Sequence, residues 1–372
     1  MAEFSTQVFR PPHPAAPIQT TPKLNSLGKA EAPLPTLHTS PVASTSSLAQ
    51  VTATRKVLFA AVPSRTDEGV QFPSPLLLQI SPPEAKLKVT LCSSYSAVGT
   101  IEGQEKPANQ DSYLICEVEV RGKPASFLMV ADGHGGSGHR VSSYLTTYLP
   151  CFFLEALETV SDVSTALISA YEQTNRSMRK CDLDAVCSGS TCLTVVVLDG
   201  ELFVANVGDS RAVLCQSESQ KLTTVTLTTD HRPDVVTERR RLEEAGGRVE
   251  ATCGANGQSV GPLRLWFQGE NTPGLTLSRA MGDFLASSIG LIATPDVSSM
   301  SLLATDQFIL LASDGIWEFV ETQEAVETVK RLDSEGRGAI AAETLVQLAK
   351  ERWSRAFTSV DDITAVIAFL GE

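Results

Sequence analysis

Acid-bearing turns occur at four places in this 372-residue chain, and each lies beside a strand-like run. They are Asn109-Gln110-Asp111, Asp132-Gly133-His134, Ser313-Asp314-Gly315 and Asp361-Asp362. Asp132 follows the apolar run 127–131 and Asp314 follows the apolar run 308–312, so both carboxylates stand where a buried strand ends. An unpaired carboxylate at such a position costs free energy unless it meets a cation. Oxygen ligands beside glycine turns are typical of sites for hard divalent ions such as Mg²⁺ or Mn²⁺.

Taken one at a time, these turns do not establish a site. Asp-Gly pairs are frequent in ordinary surface turns, and aspartate is a common surface residue. Two observations favour a functional interpretation: the apolar runs before Asp132 and Asp314, and the glycine at position 133. A glycine there allows the backbone carbonyl to approach a metal ion closely.

The four turns belong to a longer series of nine short motifs between residues 89 and 370. The motifs are N-Q-D-S at 109–112, D-G-H-G-G at 132–136, S-G-S-T at 188–191, A-N-V-G-D-S-R at 205–211, T-D-H-R-P at 229–233, A-G-G-R-V at 245–249, L-S-R-A-M-G-D at 277–283, A-S-D-G-I-W at 312–317 and D-D-I-T at 361–364. In residue types and in order, this series resembles the metal-dependent protein phosphatases of type 2C, the PPM family. The resemblance covers nearly all of the chain that we expect to be ordered.

The resemblance implies a fold and a set of metal ligands. The expected fold is α+β, a four-layer α-β-β-α sandwich with two central antiparallel sheets and a flap subdomain. Two Mg²⁺ or Mn²⁺ ions are expected at one edge of the sandwich. Asp132 is expected to bridge both ions. Asp314 and Asp361 would complete the ligands of the first ion, and the carbonyl of Gly133 and the carboxylate of Asp111 those of the second.

The same resemblance implies a reaction. Two cations on one water lower the pKa of that water, so that hydroxide exists near neutral pH and attacks phosphorus in line. His134, two residues after Asp132, matches the general acid that protonates the departing serine or threonine oxygen. Lys106 stands where many relatives carry an arginine, and we expect it to contact phosphate as a point charge. No covalent phosphoenzyme is required.

The chain departs from the family pattern at three places near the expected ligands. Gln110 replaces a glutamate that several relatives carry. Val186-Cys187 replaces the acid expected just before S-G-S-T, and Glu318 replaces an aspartate after the D-G-x-W motif. The last two positions belong to a weaker third metal site in relatives. A third ion therefore either binds differently in this chain or does not bind.

Three functions are compatible with these residues. The first is Mg²⁺/Mn²⁺-dependent hydrolysis of phosphoserine and phosphothreonine in proteins. The second is a catalytically inactive pseudophosphatase acting as a binding module, although such proteins usually lack one of the core acids and none of the four is missing here. The third is an unrelated metal-dependent phosphoesterase for small molecules. Activity on a phosphothreonine peptide that requires Mn²⁺ would favour the first.

Other polar residues of the motifs are assigned structural roles. We expect His231 to order the loop 229–233, Asp209 to pair with Arg211, and Asp283 to hold the flap. The helix at 237–244 is expected to be an exposed face with charge pairs along its length.

Hydrophobic patterns place the motifs on strands and helices that begin near residue 86. The predicted strands are 113–120, 125–131, 191–198, 202–207, 211–215, 308–312 and 363–370. Apolar spacing predicts helices around 141–152 and 167–178, and further helices at 234–245 and 339–353. Asp199-Gly200 is typical of a hairpin turn. The segment 253–276 has mixed polarity and several glycines, and we predict an irregular surface loop there.

Composition limits the classes of partner. Apolar residues make up 42% of the chain, enough for a substantial core, and the net charge of −13 argues against a nucleic-acid-binding protein. No apolar run is long enough to span a membrane. Because no secretory signal is evident in the sequence, we expect the eight cysteines to be reduced. The absence of a C-x-x-C pair argues against a zinc site. The expected partners are phosphorylated protein substrates, and a monomer is expected.

Residues 1–85 are predicted to form a disordered tail rich in Pro, Ser and Thr, ahead of a catalytic domain at 86–372. Residues 1–65 contain two acidic and six basic residues, so their net charge is +4 and the rest of the chain carries −17. We expect a cytoplasmic location, with the nucleus as a second compartment. A transit peptide stays an alternative because the segment is poor in acids and rich in serine, although arginine is sparse.

Overall fold

A computed structural model describes residues 86–218, 221–254 and 256–372, and the tail predicted for 1–85 lies outside the described residues. The first strands are β1 (Lys88–Ala97), β2 (Thr100–Ile101), β3 (Gln104–Glu105), β4 (Asp111–Val120), β5 (Lys123–His134), β6 (Gly189–Ser190), β7 (Cys192–Leu198), β8 (Glu201–Val207) and β9 (Arg211–Glu218). The later strands are β10 (Lys221–Thr226), β11 (Arg248–Cys253), β12 (Ser259–Trp266), β13 (Pro273–Leu275), β14 (Met281–Gly282), β15 (Asp296–Ser301), β16 (Asp306–Ala312) and β17 (Ile363–Gly371). The helices are α1 (Gly138–Thr159), α2 (Val163–Met178), α3 (Val236–Glu244), α4 (Asp314–Trp317), α5 (Thr322–Ser334) and α6 (Ala341–Ala356).

Two antiparallel sheets form the centre of the domain. The first sheet has the strand order β1-β17-β16-β9-β10. The second sheet has the order β14-β6-β5-β7-β8-β15, and β4 also pairs with β5. Distant parts of the chain meet in the first sheet, since β1 pairs with β17 from Lys88 opposite Gly371 to Ala97 opposite Ile363.

Side-chain alternation explains why the strands beside the predicted site are continuous apolar runs. In β5, Phe127 and Met129 pack on one side of the second sheet, whereas Leu128 and Val130 pack on the other. The strand β16 is divided in the same way between the two faces of the first sheet. Because both faces of each sheet are covered, successive residues of these strands are all apolar.

Three hydrophobic cores lie between four layers of structure. One core lies between the helices α1 and α2 and the second sheet, and another lies between the two sheets. The third lies between the first sheet and the helices α5 and α6. This order of layers confirms the predicted α-β-β-α sandwich. Within the described residues, no helix combines the length and the apolar character that crossing a membrane requires.

The hairpin predicted at Asp199-Gly200 is confirmed. β7 and β8 pair in register from Cys192 opposite Val207 to Leu198 opposite Glu201. Asp199 and Gly200 both have positive φ, at 55° and 80°. Two successive residues with positive φ are the requirement of the tight turn that matches the twist of the paired strands.

The prediction of an irregular loop at 253–276 is wrong. That segment contains β12 and β13, which form a three-stranded antiparallel sheet with β11. The first half of β12 is exposed, so it lacks the apolar alternation that reveals a half-buried strand. Its second half packs into a fourth core, where Leu265 meets Val249 and Leu242. This sheet and α3 form the flap subdomain.

The helix α3 is not the wholly exposed face that its charges predict. Glu238 is only 4% exposed. Its carboxylate accepts hydrogen bonds from Arg241 at 2.8 Å, from Arg279 at 2.8 and 3.1 Å, and from the hydroxyl of Ser278 at 2.7 Å. This carboxylate therefore joins α3 to the L-S-R-A-M-G-D motif. Only the pair Arg239–Glu243 is exposed as predicted.

Glu238→Gln should destabilise the domain by about 3 kcal/mol at pH 7, because it leaves the partly buried donors of Arg241 and Arg279 without a charged partner. Burial raises the pKa of Glu238, but hydrogen bonds from Arg279, Ser278 and Arg241 lower it by more, so that the pKa falls to about 2. A carboxyl group with a lowered pKa stabilises the fold above its unfolded pKa and loses that effect as the pH falls. Urea unfolding at pH 7 and pH 3 should therefore show a smaller difference between variant and wild type at pH 3.

The matched control is Glu243→Gln, which removes the partner of Arg239 in an exposed pair. It should change the free energy of unfolding by no more than about 0.5 kcal/mol. Equal losses in the two variants would contradict the structural role assigned to Glu238.

Candidate metal centre and active-site cleft

Four aspartates lie where strands of the two sheets begin or end. Asp111 is the first residue of β4 and pairs with Asp132 near the end of β5. Asp314 follows β16, and Asp361 precedes β17, the neighbour of β16 in the first sheet. Because β16 and β17 are antiparallel, the end of one and the start of the other share one edge. Each sheet therefore supplies two of the predicted metal ligands.

These strand ends open onto a cleft of about 460 Å³. Asp132, Asp314 and Asp361 line it from the side of the sandwich. Arg264 and residues 272–277 line it from the flap. Asp111 lies behind these groups and is buried. The cleft thus has one wall of carboxylates and a second wall built by the flap.

Burial and mutual repulsion raise the pKa values of three of these carboxyl groups. Burial raises the pKa of Asp111 to about 7, although hydrogen bonds from Thr364 and Ser313 oppose the change. Burial, followed by the charges of neighbouring aspartates, raises the pKa of Asp132 and of Asp314 well above the usual value. Without cations, the folded protein must bind protons here or bear the repulsion between these groups.

The oxygen atoms of this cluster fit divalent cations. One carboxylate oxygen of Asp111 and one of Asp314 are buried without a hydrogen-bond partner within the described residues. Buried acceptors normally have a partner, and a hard cation would provide one. In the same described part of the chain, no three acidic, histidine or cysteine side chains are gathered closely enough to form a complete shell for one ion. The number of two ions stays a prediction from the family resemblance.

Gly133 occupies a crossing of two segments beside the aspartates. A Cβ atom there would overlap the carbonyl oxygen of Gly138 and lie 2.6 Å from that of Gln110. The amide of Gly133 donates a hydrogen bond of 3.1 Å to the same Gln110 carbonyl. Glycine is therefore required for packing at this position. The role of its carbonyl as a metal ligand stays a prediction.

Lys106, the predicted phosphate contact, is paired with acids of the last motif. Its amine lies 2.6 Å from Asp361 and 3.3 Å from Asp362. Burial lowers the pKa of Lys106, but the charges of these two aspartates raise it by more. Asp362 is buried and also accepts hydrogen bonds from the amides of Gly99 at 2.6 Å and Gln110 at 2.9 Å. Lys106 is thus held beside the candidate metal centre, and its contact with phosphate stays a prediction.

His134, the predicted general acid, lines the cleft. Its Nε2 atom lies 2.5 Å from Oδ2 of Asp283. Burial lowers the pKa of His134, but the charge and the hydrogen bond of Asp283 raise it by more. The sequence assigns Asp283 to the flap alone, whereas the structure brings it into direct contact with His134.

The expected pair of Asp209 with Arg211 does not form. Asp209 accepts a hydrogen bond of 3.1 Å from Arg232, and Arg211 binds Asp230 at 2.9 and 3.2 Å. Arg211 begins β9 and its guanidinium lies over the ring of Trp317, which directs it away from the buried Asp209.

The loop-ordering role expected of His231 agrees with its contacts. Its Nδ1 accepts a hydrogen bond of 3.1 Å from the amide of Gly208, and its Nε2 lies 3.1 Å from Asp296. These contacts connect the loop 229–233 to β15. Both partners lie outside the set of predicted ligands.

Three further residues contribute to the site without having been singled out from the sequence. Ser313 donates a hydrogen bond of 2.8 Å to Asp111 and accepts one of 3.0 Å from the amide of Thr364. Its position inside the A-S-D-G-I-W motif was the available signal. Asp362 likewise follows directly after a predicted ligand. Arg264 of the flap carried no signal, because its segment was predicted to be irregular.

Comparison with known proteins agrees with this geometry. The family described as protein phosphatase 2C matches residues 106–356. The chain belongs to the protein phosphatase 2C family. Similar proteins include probable protein phosphatase 2C 64 of Oryza sativa subsp. japonica, which is 35% identical over 289 residues, or 75% of this chain and 66% of the relative. Probable protein phosphatase 2C 35 of Arabidopsis thaliana is 35% identical over 276 residues, or 70% of this chain and 78% of the relative.

Solved structures share the fold of this type 2C phosphatase. Serine-threonine phosphatase 2C from Toxoplasma gondii superposes with a TM-score of 0.66 at 23% identity, over 77% of this chain and 98% of that one. A sex-determining protein of C. elegans superposes with a TM-score of 0.59 at 23% identity, over 76% of this chain and 65% of that one. The prediction of a serine/threonine protein phosphatase is confirmed at the level of the family.

Proposed function

We propose that this phosphatase hydrolyses phosphoserine and phosphothreonine in proteins with Mg²⁺ or Mn²⁺ bound at the four aspartates. The observation that carries the proposal is the unpartnered carboxylate oxygen on each of Asp111 and Asp314, buried beside an open cleft. The presence of all four acids disfavours the alternative of an inactive binding module. The names of the plant relatives support a protein rather than a small-molecule substrate.

Different residues would serve different parts of the reaction. Asp132, Asp314 and Asp361 would hold cations from the cleft side and Asp111 from behind. Bound cations would lower the pKa of a water and offset the charge of the phosphoryl oxygens. On the chain's own side, Lys106 brings a positive charge to the same edge, and the flap narrows the access of water to the cleft.

The proton for the leaving group would come from His134, which lines the cleft two residues from Asp132. Serine and threonine alkoxides are poor leaving groups, so protonation during bond cleavage lowers the barrier. Because no side-chain nucleophile is used, the exposed thiol of Cys187 at the rim of the cleft has no part in bond cleavage.

A phosphothreonine peptide assay tests the proposal. We expect turnover with 1–5 mM Mn²⁺, at roughly the median rate of enzymes near 10 s⁻¹, and a fall to background with EDTA. Excess Mg²⁺ or Mn²⁺ should restore it, and sugar phosphates should react far more slowly. Unchanged activity in EDTA would contradict metal dependence. A folded sample that binds Mn²⁺ by calorimetry but never turns over would instead be a binding module.

A further inference from the structure

Three motifs meet on adjoining strands at the rim of the cleft. His134, the last residue of β5, lies opposite Gly189 of β6. Gly189 in turn lies opposite Gly282 of β14, the residue before Asp283. The two-residue strand β6 therefore stands between His134 and Asp283. Their side chains meet above it, with Nε2 and Oδ2 separated by 2.5 Å.

Gly189 provides the space in which this pair forms. A Cβ atom at position 189 would overlap the carboxylate of Asp283 and lie 2.8 Å from Nε2 of His134. Real Cβ atoms essentially never approach other heavy atoms so closely. Any side chain at this position of the S-G-S-T motif would push the imidazole and the carboxylate apart. The glycine is thus explained by a contact between two other motifs.

The backbone holds Asp283 in place. Its side chain is 4% exposed, and its amide donates a hydrogen bond of 2.9 Å to the carbonyl of Ser188. The preceding amide, that of Gly282, donates to the side chain of Asn175 at 2.9 Å. Asp283 has a φ of 44°, in the left-handed region that non-glycine residues seldom occupy. Such a conformation persists where several contacts impose it, often at functional sites.

We propose that Asp283 is a positioning residue for His134, and this inference rests on the proposed function. Asp283 holds the proton on Nε2 and fixes the plane of the imidazole. Nδ1, which makes no hydrogen bond within the described residues, is then the nitrogen left free to act on the leaving oxygen. In this role Asp283 acts through the imidazole of His134 and not directly on the phosphate or the leaving oxygen.

The proton transfer follows from this arrangement. As the phosphorus–oxygen bond to serine or threonine breaks, its electron pair remains on the departing oxygen. The proton on Nδ1 moves to that oxygen and gives the free hydroxyl. The imidazole that remains is neutral, and its other proton stays on Nε2, hydrogen-bonded to Asp283. Nδ1 then regains a proton from solvent. A carboxylate that orients an imidazole through one nitrogen and frees the other is an established arrangement in acid–base catalysis.

The dependence on the leaving group separates positioning from a merely structural role. Asp283→Asn should lower kcat on a phosphothreonine peptide by about 100-fold, the lower end of the range for general acid catalysis. It should lower kcat on p-nitrophenyl phosphate by less than about 3-fold, because that leaving group departs without a proton. Equal losses on the two substrates would overturn the proposal, since damage to the metal centre or to the flap lowers both rates alike.

Two further variants complete the experiment. In a His134→Gln background, which already lacks the general acid, Asp283→Asn should lower neither rate further. The matched control is Asp296→Asn, which breaks a second His–Asp contact among the described residues, that with His231 at 3.1 Å. It should leave the ratio of the two rates unchanged. A similar change in that ratio would show that loss of any such pair has this effect.

A spectroscopic measurement is independent of turnover. In the Mg²⁺-loaded wild type, ¹⁵N-edited NMR should show a protected, downfield proton on Nε2 of His134, and Asp283→Asn should remove it. Absence of that proton in the wild type would contradict the pairing even if Asp283→Asn failed to fold. A wild type that shows the proton but has no metal-dependent turnover would refute the proposed function and leave the pairing established.

Discussion

Asp132→Asn should lower kcat on a phosphothreonine peptide by at least about 10³-fold, which corresponds to roughly 4 kcal/mol of transition-state stabilisation. Asp132 faces the cleft, and its main chain is fixed by two hydrogen bonds of 2.9 Å with Thr191. Asparagine keeps its volume but removes the negative charge that a divalent cation requires. Turnover at increasing Mn²⁺ concentrations, together with calorimetric titration of Mn²⁺, measures the effect.

The fold of this variant should be retained. Burial, and then the charges of Asp111 and Asp314, raise the pKa of Asp132, so loss of its charge relieves both the cost of burial and the repulsion in the metal-free protein. The control is Asp306→Asn, at the start of β16 and outside the residues that line the cleft, where a buried aspartate accepts hydrogen bonds from Gln216 and the amide of Leu303. It should lower stability and leave kcat unchanged. Wild-type turnover by Asp132→Asn at saturating Mn²⁺ would rule out the assignment of this residue as a ligand.

Divalent cations should stabilise the domain by an amount that grows as the pH rises from 5 to 7.5. The pKa of Asp111 is raised from 3.8 to about 7, and those of Asp132 and Asp314 are raised well above 3.8. At pH values between the ordinary pKa of 3.8 and these raised pKa values, the folded state binds more protons than the unfolded state. Stability therefore falls as the pH rises, by up to about 4 kcal/mol for a shift the size of that of Asp111.

Bound divalent cations should replace the protons on these aspartates and so prevent the loss of stability as the pH rises. Urea unfolding in EDTA should show decreasing stability from pH 5 to pH 7.5, whereas unfolding in 5 mM Mg²⁺ should not. Ionisation of Glu238 makes stability rise with pH, but only below about pH 4.5, which lies outside the range from pH 5 to pH 7.5. In metal-free Asp132→Asn the decrease should be smaller, because one of the coupled acids is gone. A metal-free wild type whose stability rises over this range would contradict the assignment.

The family resemblance implied the sandwich, whereas hydrophobic patterns alone predicted seven of the strands in its two sheets. Runs such as 127–131 are apolar on both faces, and turn residues such as Asp199-Gly200 mark their ends clearly. The flap sheet gave no comparable signal, since the first half of β12 is exposed and is interrupted by glycine. Tertiary contact with α3 and with residues 277–291, rather than local pattern, makes that segment a sheet.

The family resemblance could assign the predicted ligands because each motif contains its own acid. Contacts between motifs could not be read in the same way. Asp283 and His134 are 149 residues apart, and the pairing of β5, β6 and β14 brings them into contact. Similarly, Asp209 binds Arg232 rather than Arg211, which is closer in sequence. At the start of β9 the side chain of Arg211 is directed away from Asp209, so closeness in sequence does not bring the two together. Spacing along the chain identified the chemical groups, and the sheet register determined their partners.

The position of β17 has a consequence for how this enzyme is made. β17 is the last of the described elements in the sequence, yet it lies inside the first sheet, between β1 and β16. A growing chain must reach residue 371 before that sheet can close and before Asp361 meets the other acids. Such distant pairings form slowly and leave unpaired strand edges exposed on the ribosome. The first sheet and the candidate metal centre are therefore both incomplete until residues 361–371 have been synthesised.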